Sequence, residues 1–171
     1  MILYPVWVQL HTVTIHANEG STPSTIIYNN IEHGSSIILP IATTRTGYDF
    51  DGWNTSSDGT GTNYEAEATI VVNSDLDLYA AWVQLYTVTL YDGATLVEEY
   101  QRRLNTQITL PSRTKDHYTF LGWNAQRTGG SNHINGNYIV TGNATLYAQW
   151  EQILYTISFN LDINNSSYLN P

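Results

Sequence analysis

The chain has 171 residues, no cysteine, a formal charge of −9 at pH 7 and only 12% charged residues. Without cysteine there is no disulfide staple, thiolate metal site or thiol nucleophile. The acid excess argues against nucleic acid and anionic membrane surfaces as partners, and no apolar run approaches the roughly 18 residues that span a bilayer. Met1-Ile2-Leu3-Tyr4 carries no basic leader region, so the sequence reads as a mature segment of something longer whose targeting signals lie elsewhere.

The chain opens on Leu3-Tyr4-Pro5-Val6-Trp7-Val8-Gln9-Leu10-His11-Thr12-Val13-Thr14-Ile15, and variants of this stretch return at Leu78–Leu90 and Leu146–Ser158. Self-similarity with a period of roughly 70 residues marks a repeat array. Residues 11–85 form repeat 1 and 86–150 repeat 2. Residues 1–10 read as the orphan closing strand of a preceding repeat, and 151–171 as the opening segment of a following one.

Within each unit the landmarks fall in the same order. Val13 and Ile15, like Val88 and Leu90, alternate with threonines, which is the period of a half-buried strand. Asn18-Glu19-Gly20 and Asp92-Gly93 then supply turn chemistry for a first hairpin. The returning segment is Thr25–His33 in one copy and Leu96–Leu104 in the other. The second, LVEEYQRRL, has helix-like spacing, but two copies of one fold share secondary structure, so an extended strand is expected and a helix is the alternative. Gly34 and Asn105 precede Ile37-x-Leu39-Pro40 and Ile108-x-Leu110-Pro111 and suit one left-handed backbone position. Gly47–Asn54 answers to His117–Asn124, and the Gly-rich loops 56–63 and 127–137 follow. Such loops are where binding specificity would reside. Leu78-Tyr79-Ala80-Ala81-Trp82 and Leu146-Tyr147-Ala148-Gln149-Trp150 close the units. Val83-Gln84-Leu85 contains no Gly, Pro or Ser, so a strand passes unbroken from one unit to the next. One extra residue separates Trp150 from Thr156, which predicts a bulge or a changed path there.

Chemistry-bearing clusters are sparse. Asp49, Asp51, Asn54 and Asp58 lie near a Gly-rich loop, but their spacing is not that of an EF-hand, and Thr119, Leu121, Asn124 and Thr128 replace them in repeat 2. The five histidines lack zinc-site spacing, and His11 and His16 fall on opposite faces of a regular strand, as surface or edge residues. Glu65/Glu67 and Asp75/Asp77 are carboxylate pairs without a nucleophile motif. No catalytic, metal or cofactor-binding residue is assigned, no cofactor is expected, and the chain reads as a non-enzyme. Recurrence of Trp53/Trp123 and Trp82/Trp150, with Trp7, favours packing over sugar platforms. Asn54, Asn143, Asn164 and Asn165 each begin an N-x-[ST] triplet.

The YTVTF-like first strand, the I-x-LP element, GYDFDGW at Gly47–Trp53 and the closing LYAxW resemble the Listeria–Bacteroides repeat, the family that includes the internalin B-repeat, over nearly the whole chain. Repeat 2 departs from the pattern at His117, Leu121 and Asn105. The resemblance implies a mainly β protein: tandem small β-grasp-like repeat domains joined by near-continuous strands. It also implies an extracellular stalk, adhesion or partner-contact role on a microbial cell surface. A head-to-tail filament built by exchange of terminal strands is the alternative, carried by Leu3, Tyr4, Val6, Trp7 and Val8 at one end and Tyr155, Ile157, Phe159 and Leu161 at the other, because exposed strands are templates for pairing. A carbohydrate-binding module is a further alternative. Expected partners are other copies of the chain, neighbouring repeats, or a host or cell-surface protein or glycan, with no nucleic acid and no direct membrane insertion.

Overall fold

The computed structural model describes residues 4–19, 24–42 and 44–158. Alternating β-branched, aromatic and threonine residues give twelve strands among the described residues: β1 (Leu10–His16), β2 (Thr25–Glu32), β3 (Ser35–Ile38), β4 (Tyr48–Asn54), β5 (Asn63–Tyr64), β6 (Thr69–Val72), β7 (Leu76–Asp92), β8 (Thr95–Arg103), β9 (Gln107–Thr109), β10 (Tyr118–Asn124), β11 (Asn137–Ile139) and β12 (Ala144–Gln152). The described residues contain no α-helix, and the protein is mainly β. β2 and β8 are both strands, which settles the ambiguity of LVEEYQRRL in favour of the shared structure.

In the first repeat, β1 pairs antiparallel with β2 and parallel with the N-terminal part of β7, from Val13↔Leu76 to His16↔Tyr79. β4 lies antiparallel on the other side of β7 and carries the short β5. β3 and β6 form a separate two-stranded ladder. The same motif returns: β8 and β12 pair with β7, β10 pairs antiparallel with β12, and β9 pairs with β11. β7 is a single 17-residue strand through Val83-Gln84-Leu85. By contacts the chain divides into two units, and the first takes in Glu99–Gln107 and Ile139–Ala144 along with the residues up to Val88. β12 ends at Gln152, and no strand continues through 153–158.

The core of the first repeat is Val13, Ile15, Leu39, Trp53, Ile70, Val72, Leu78 and Ala80. Their counterparts Val88, Leu90, Leu110, Trp123, Val140, Leu146 and Ala148 are buried too, and half-buried Tyr138 stands where the first repeat has Ile70. In a regular strand, residues three apart face opposite ways, yet Phe50 and Trp53 make an edge-on contact with ring centroids 5.1 Å apart. A bulge between them is the reason. Phe50 pairs with Trp82 and Trp53 with Ala80, so two residues on β4 oppose one on β7. Gly52, at φ +102°, sits in that bulge, and a Cβ there would lie 2.5 Å from the Tyr64 carbonyl oxygen. Phe120 and Trp123 repeat the contact at 5.8 Å beside their own register shift.

Other equivalences confirm a copied backbone. Gly34 (φ +80°) and Asn105 (φ +62°) share the left-handed position, and their amides donate to the carbonyls of Val72 and Val140. His117 adopts φ +64° where Gly47 has +77°, so the departure from the family pattern leaves the turn unchanged. Their carbonyls accept from Leu85 N and Ile153 N, each at 2.8 Å. Tyr48 lies under the Arg45 guanidinium and Tyr118 under the Lys115 ammonium, 4.0 and 4.2 Å from the ring centroids.

Trp53 is 2% exposed and Trp123 is fully buried. Truncating either to alanine removes a large core side chain from a small unit, and each substitution is expected to cost about 3–5 kcal/mol, measured by chemical denaturation.

Candidate functional site

Each buried tryptophan is followed by an asparagine that organises a Gly-rich loop. Asn54 Oδ1 accepts from the amides of Ser56 and Gly61 at 2.7 and 3.0 Å, while its Nδ2 donates to Asn63 Oδ1 at 2.6 Å and to the carbonyls of Gly59 and Gly61. Asn124 repeats the pattern with Gln126 N and Asn132 O, both at 2.7 Å. A buried amide with every group satisfied fixes a loop that would otherwise wander. Asp58 tightens the first loop further. Its Oδ1 accepts from the Ser56 and Thr60 hydroxyls and the Thr60 amide, which hold its carboxyl down at about 2.

That loop borders a polar cavity of about 210 Å³ lined by Asn18, Arg45, Asn54, Asp58, Ala81 and Trp82, among others. Asn18 Nδ2 donates across it to the carbonyls of Ser57 and Ala80, and an Arg45 N–H donates to the Asn18 carbonyl. The indole N–H of Trp82 bonds the Ala17 carbonyl at 2.9 Å. At the matching place in repeat 2, Gln149 stands where repeat 1 has Ala81. Its buried amide donates to the carbonyls of Gln126, Arg127 and Tyr147. The first of the Gly-rich loops thus borders this cavity, while Gly129, Gly130, Ser131 and Asn132 of the second line an open hollow of about 430 Å³ with Asn124 and Gln126.

The remaining candidates are dispersed. Asp49 and Asp51 do not meet Asn54 and Asp58. They face Arg103 of β8, whose Nε donates to Asp49 at 2.8 Å, one terminal nitrogen to Asp51 and the other to the Phe50 carbonyl. The carboxylates of Asp51 and Asp49 raise the Arg103 pKa. This three-point contact lies inside the first compact unit, to which residues 99–107 belong. Thr119 and Leu121 occupy the equivalent positions in repeat 2 and carry no charge.

The structure corrects one expectation: His11 is not a surface residue. It lies on the core face with Val13 and Ile15, is 6% exposed, and its Nε2 meets His33 Nδ1 at 3.1 Å. His16 is on the opposite face, bonded to Asp77 at 2.9 Å and stacked on Tyr79. Asp75 accepts from Thr12 N at 2.8 Å, as Asn143 does from Thr87 N. No group of three His, Asp or Glu side chains among the described residues has the placement of a metal site. Asn54 of the first N-x-[ST] triplet is buried, while Asn143 is exposed.

Of the terminal-segment residues, Tyr4, Val6, Trp7, Val8, Tyr155 and Ile157 are exposed, Trp7 at 89%. Leu3, Phe159 and Leu161 lie outside the described residues, as do Asn164 and Asn165. Residues 4–9 and 153–158 form no strand. No helix of the described residues is long and apolar enough to cross a membrane.

A mainly β chain in which one strand motif, one Trp–Asn loop anchor and one left-handed turn each occur twice is a tandem-repeat protein. The Listeria-Bacteroides repeat domain matches it at residues 11–81 and 86–149, and the chain belongs to that family. It is similar to a protein of Evansella cellulosilytica named as a Gly-rich membrane protein, 34% identical over 91% of this chain and 20% of that one. A second Evansella membrane protein is 31% identical over 92% of this chain and 24% of its own length. Internalin H of Listeria monocytogenes is 35% identical over 65% of this chain and 20% of its own. The chain thus spans less than a quarter of the length of these curated relatives. No solved structure matches it at a significant level.

Replacing Arg103 with alanine tests the acidic contact. Both carboxylates are half exposed, so the expected loss is about 1 kcal/mol or less, shrinking as salt is raised. Denaturation at low and high ionic strength measures it, and a cost independent of salt would show that packing, not charge, carries the contact.

Proposed function

We propose that the chain is a non-catalytic spacer segment of an extracellular surface protein, whose repeats give reach and display for parts of the molecule outside this segment. The observation that carries this reading is β7, a strand used by both copies with no intervening linker. A joint made of paired backbone resists bending, whereas Gly/Ser-rich linkers behave as random coil. Membership of a repeat family, and similarity to proteins named as membrane proteins and to an internalin, support placement at the cell surface. The sugar-platform alternative loses the exposed faces it needs, because Trp53 and Trp123 are both buried. Inserting Gly-Ser-Gly-Ser after Gln84 is expected to let the two copies tumble independently in 15N relaxation, and the unmodified chain is expected to show a single correlation time. Independent tumbling of the unmodified chain would overturn the spacer reading.

The second reading is association through the terminal segments, favoured by the exposed apolar side chains of Tyr4, Val6, Trp7, Tyr155 and Ile157. Large apolar side chains left exposed at both ends suit association, and the partners would be neighbouring repeats or further copies of the chain. Removal of residues 154–171 is expected to reduce oligomer mass in sedimentation. A full-length chain that is already a monomer at high concentration would end this reading.

A further inference from the structure

We propose that the cavity beside Trp82 in repeat 1 is a binding site for an acetamido sugar, a function separate from the spacer role. The two copies supply the argument. Around Trp82 and Trp150 they share the strand and the buried asparagine, but Ala81 stands against Gln149, Asn18 against Gly93, Arg45 against Lys115 and Asp58 against Thr128. In repeat 2 the Gln149 carboxamide is buried and spends its N–H groups on main-chain carbonyls of the loop and of β12. Alanine has no such group, and repeat 1 has a cavity of about 210 Å³ there with Ala81 in its wall. Gln149 thus shows what chemistry the place accepts: a neutral amide.

The rest of the lining enlarges that requirement. Asp58 receives its loop hydrogen bonds on Oδ1, leaving Oδ2 to accept from a hydroxyl. The Arg45 side chain spends one N–H on the Asn18 carbonyl and retains donors for a ring or carbonyl oxygen. Trp82 and the two alanines, Ala80 and Ala81, add apolar wall. Donor, acceptor and aromatic surface within a volume of monosaccharide size suit a sugar, and an N-acetyl group restates the Gln149 carboxamide. A charged ligand fits less well, since Arg45 and Asp58 oppose one another in the same wall.

Titration of the full chain, followed by the indole NH resonances, tests the site with three probes: N-acetylglucosamine, glucose and acetamide. The expected result is a Trp82 shift with N-acetylglucosamine at a dissociation constant of about 1 mM, the order a ligand of this size reaches in one small site, and at least tenfold weaker binding of glucose. Ala81→Gln, which installs the side chain repeat 2 already accommodates, is expected to weaken binding at least tenfold with thermal unfolding unchanged. Gln149→Ala is expected to leave Trp150 unresponsive, because Gly93, Lys115 and Thr128 stand where repeat 1 has Asn18, Arg45 and Asp58. A wild-type chain that responds to none of the probes overturns the proposal, as does an Ala81→Gln chain that folds and still binds. Acetamide acting without the sugar, or glucose binding as tightly as the acetamido sugar, overturns the assignment of ligand class.

Discussion

The hydrogen bond from a buried indole to a proline carbonyl is the constraint on which each repeat depends. Trp53 Nε1 donates to the Pro40 carbonyl and Trp123 Nε1 to that of Pro111, each at 2.8 Å. An indole N–H sealed in a core needs an acceptor. The Leu-Pro step supplies one, because the leucine is pinned in the core while proline has no N–H to continue a ladder. The bond ties the strand that ends at Ile38 or Thr109 to the strand bearing the tryptophan. From that tie follow the bulge that turns phenylalanine and tryptophan to the same side, the glycine inside it, and the asparagine that begins the loop.

Two copies in one chain separate what the fold requires from what it permits. Where both copies keep a residue or its equivalent geometry, as with Asn54 and Asn124 or the cation over Tyr48 and Tyr118, backbone satisfaction or core packing explains it. Where they diverge the fold is indifferent. The His11–His33 pair is replaced by Tyr86 and Leu104, the acidic face of β4 by Thr119 and Leu121, and Ala81 by Gln149. Such positions are open to selection for partners without cost to the architecture.

The landmark strands, the copied turns and the packing of Trp53 and Trp123 were legible because they depend on neighbours close in sequence, on alternation or on recurrence. Asn105 in place of glycine kept the left-handed geometry for the same local reason. Contacts between distant segments were not legible. The burial of His11 depends on His33, 22 residues away, and on a β2 register shift at Asn30, which has φ +58°. The ligand of Asp49 and Asp51 is an arginine more than 50 residues on. The cavity at Trp82 had a visible sign, AAW against AQW in the closing motif, but its meaning needed the loop that folds over it.

The parallel pairing of β1 with β7 has a mechanical consequence. Tension applied along the chain enters the first repeat through β1 and leaves through β7, drawing these neighbours in opposite directions along their own axes. The cross-links from Val13↔Leu76 to His16↔Tyr79 are then loaded together in shear instead of being peeled one after another. A tether of such modules would hold its length under flow until a whole module gives way at once.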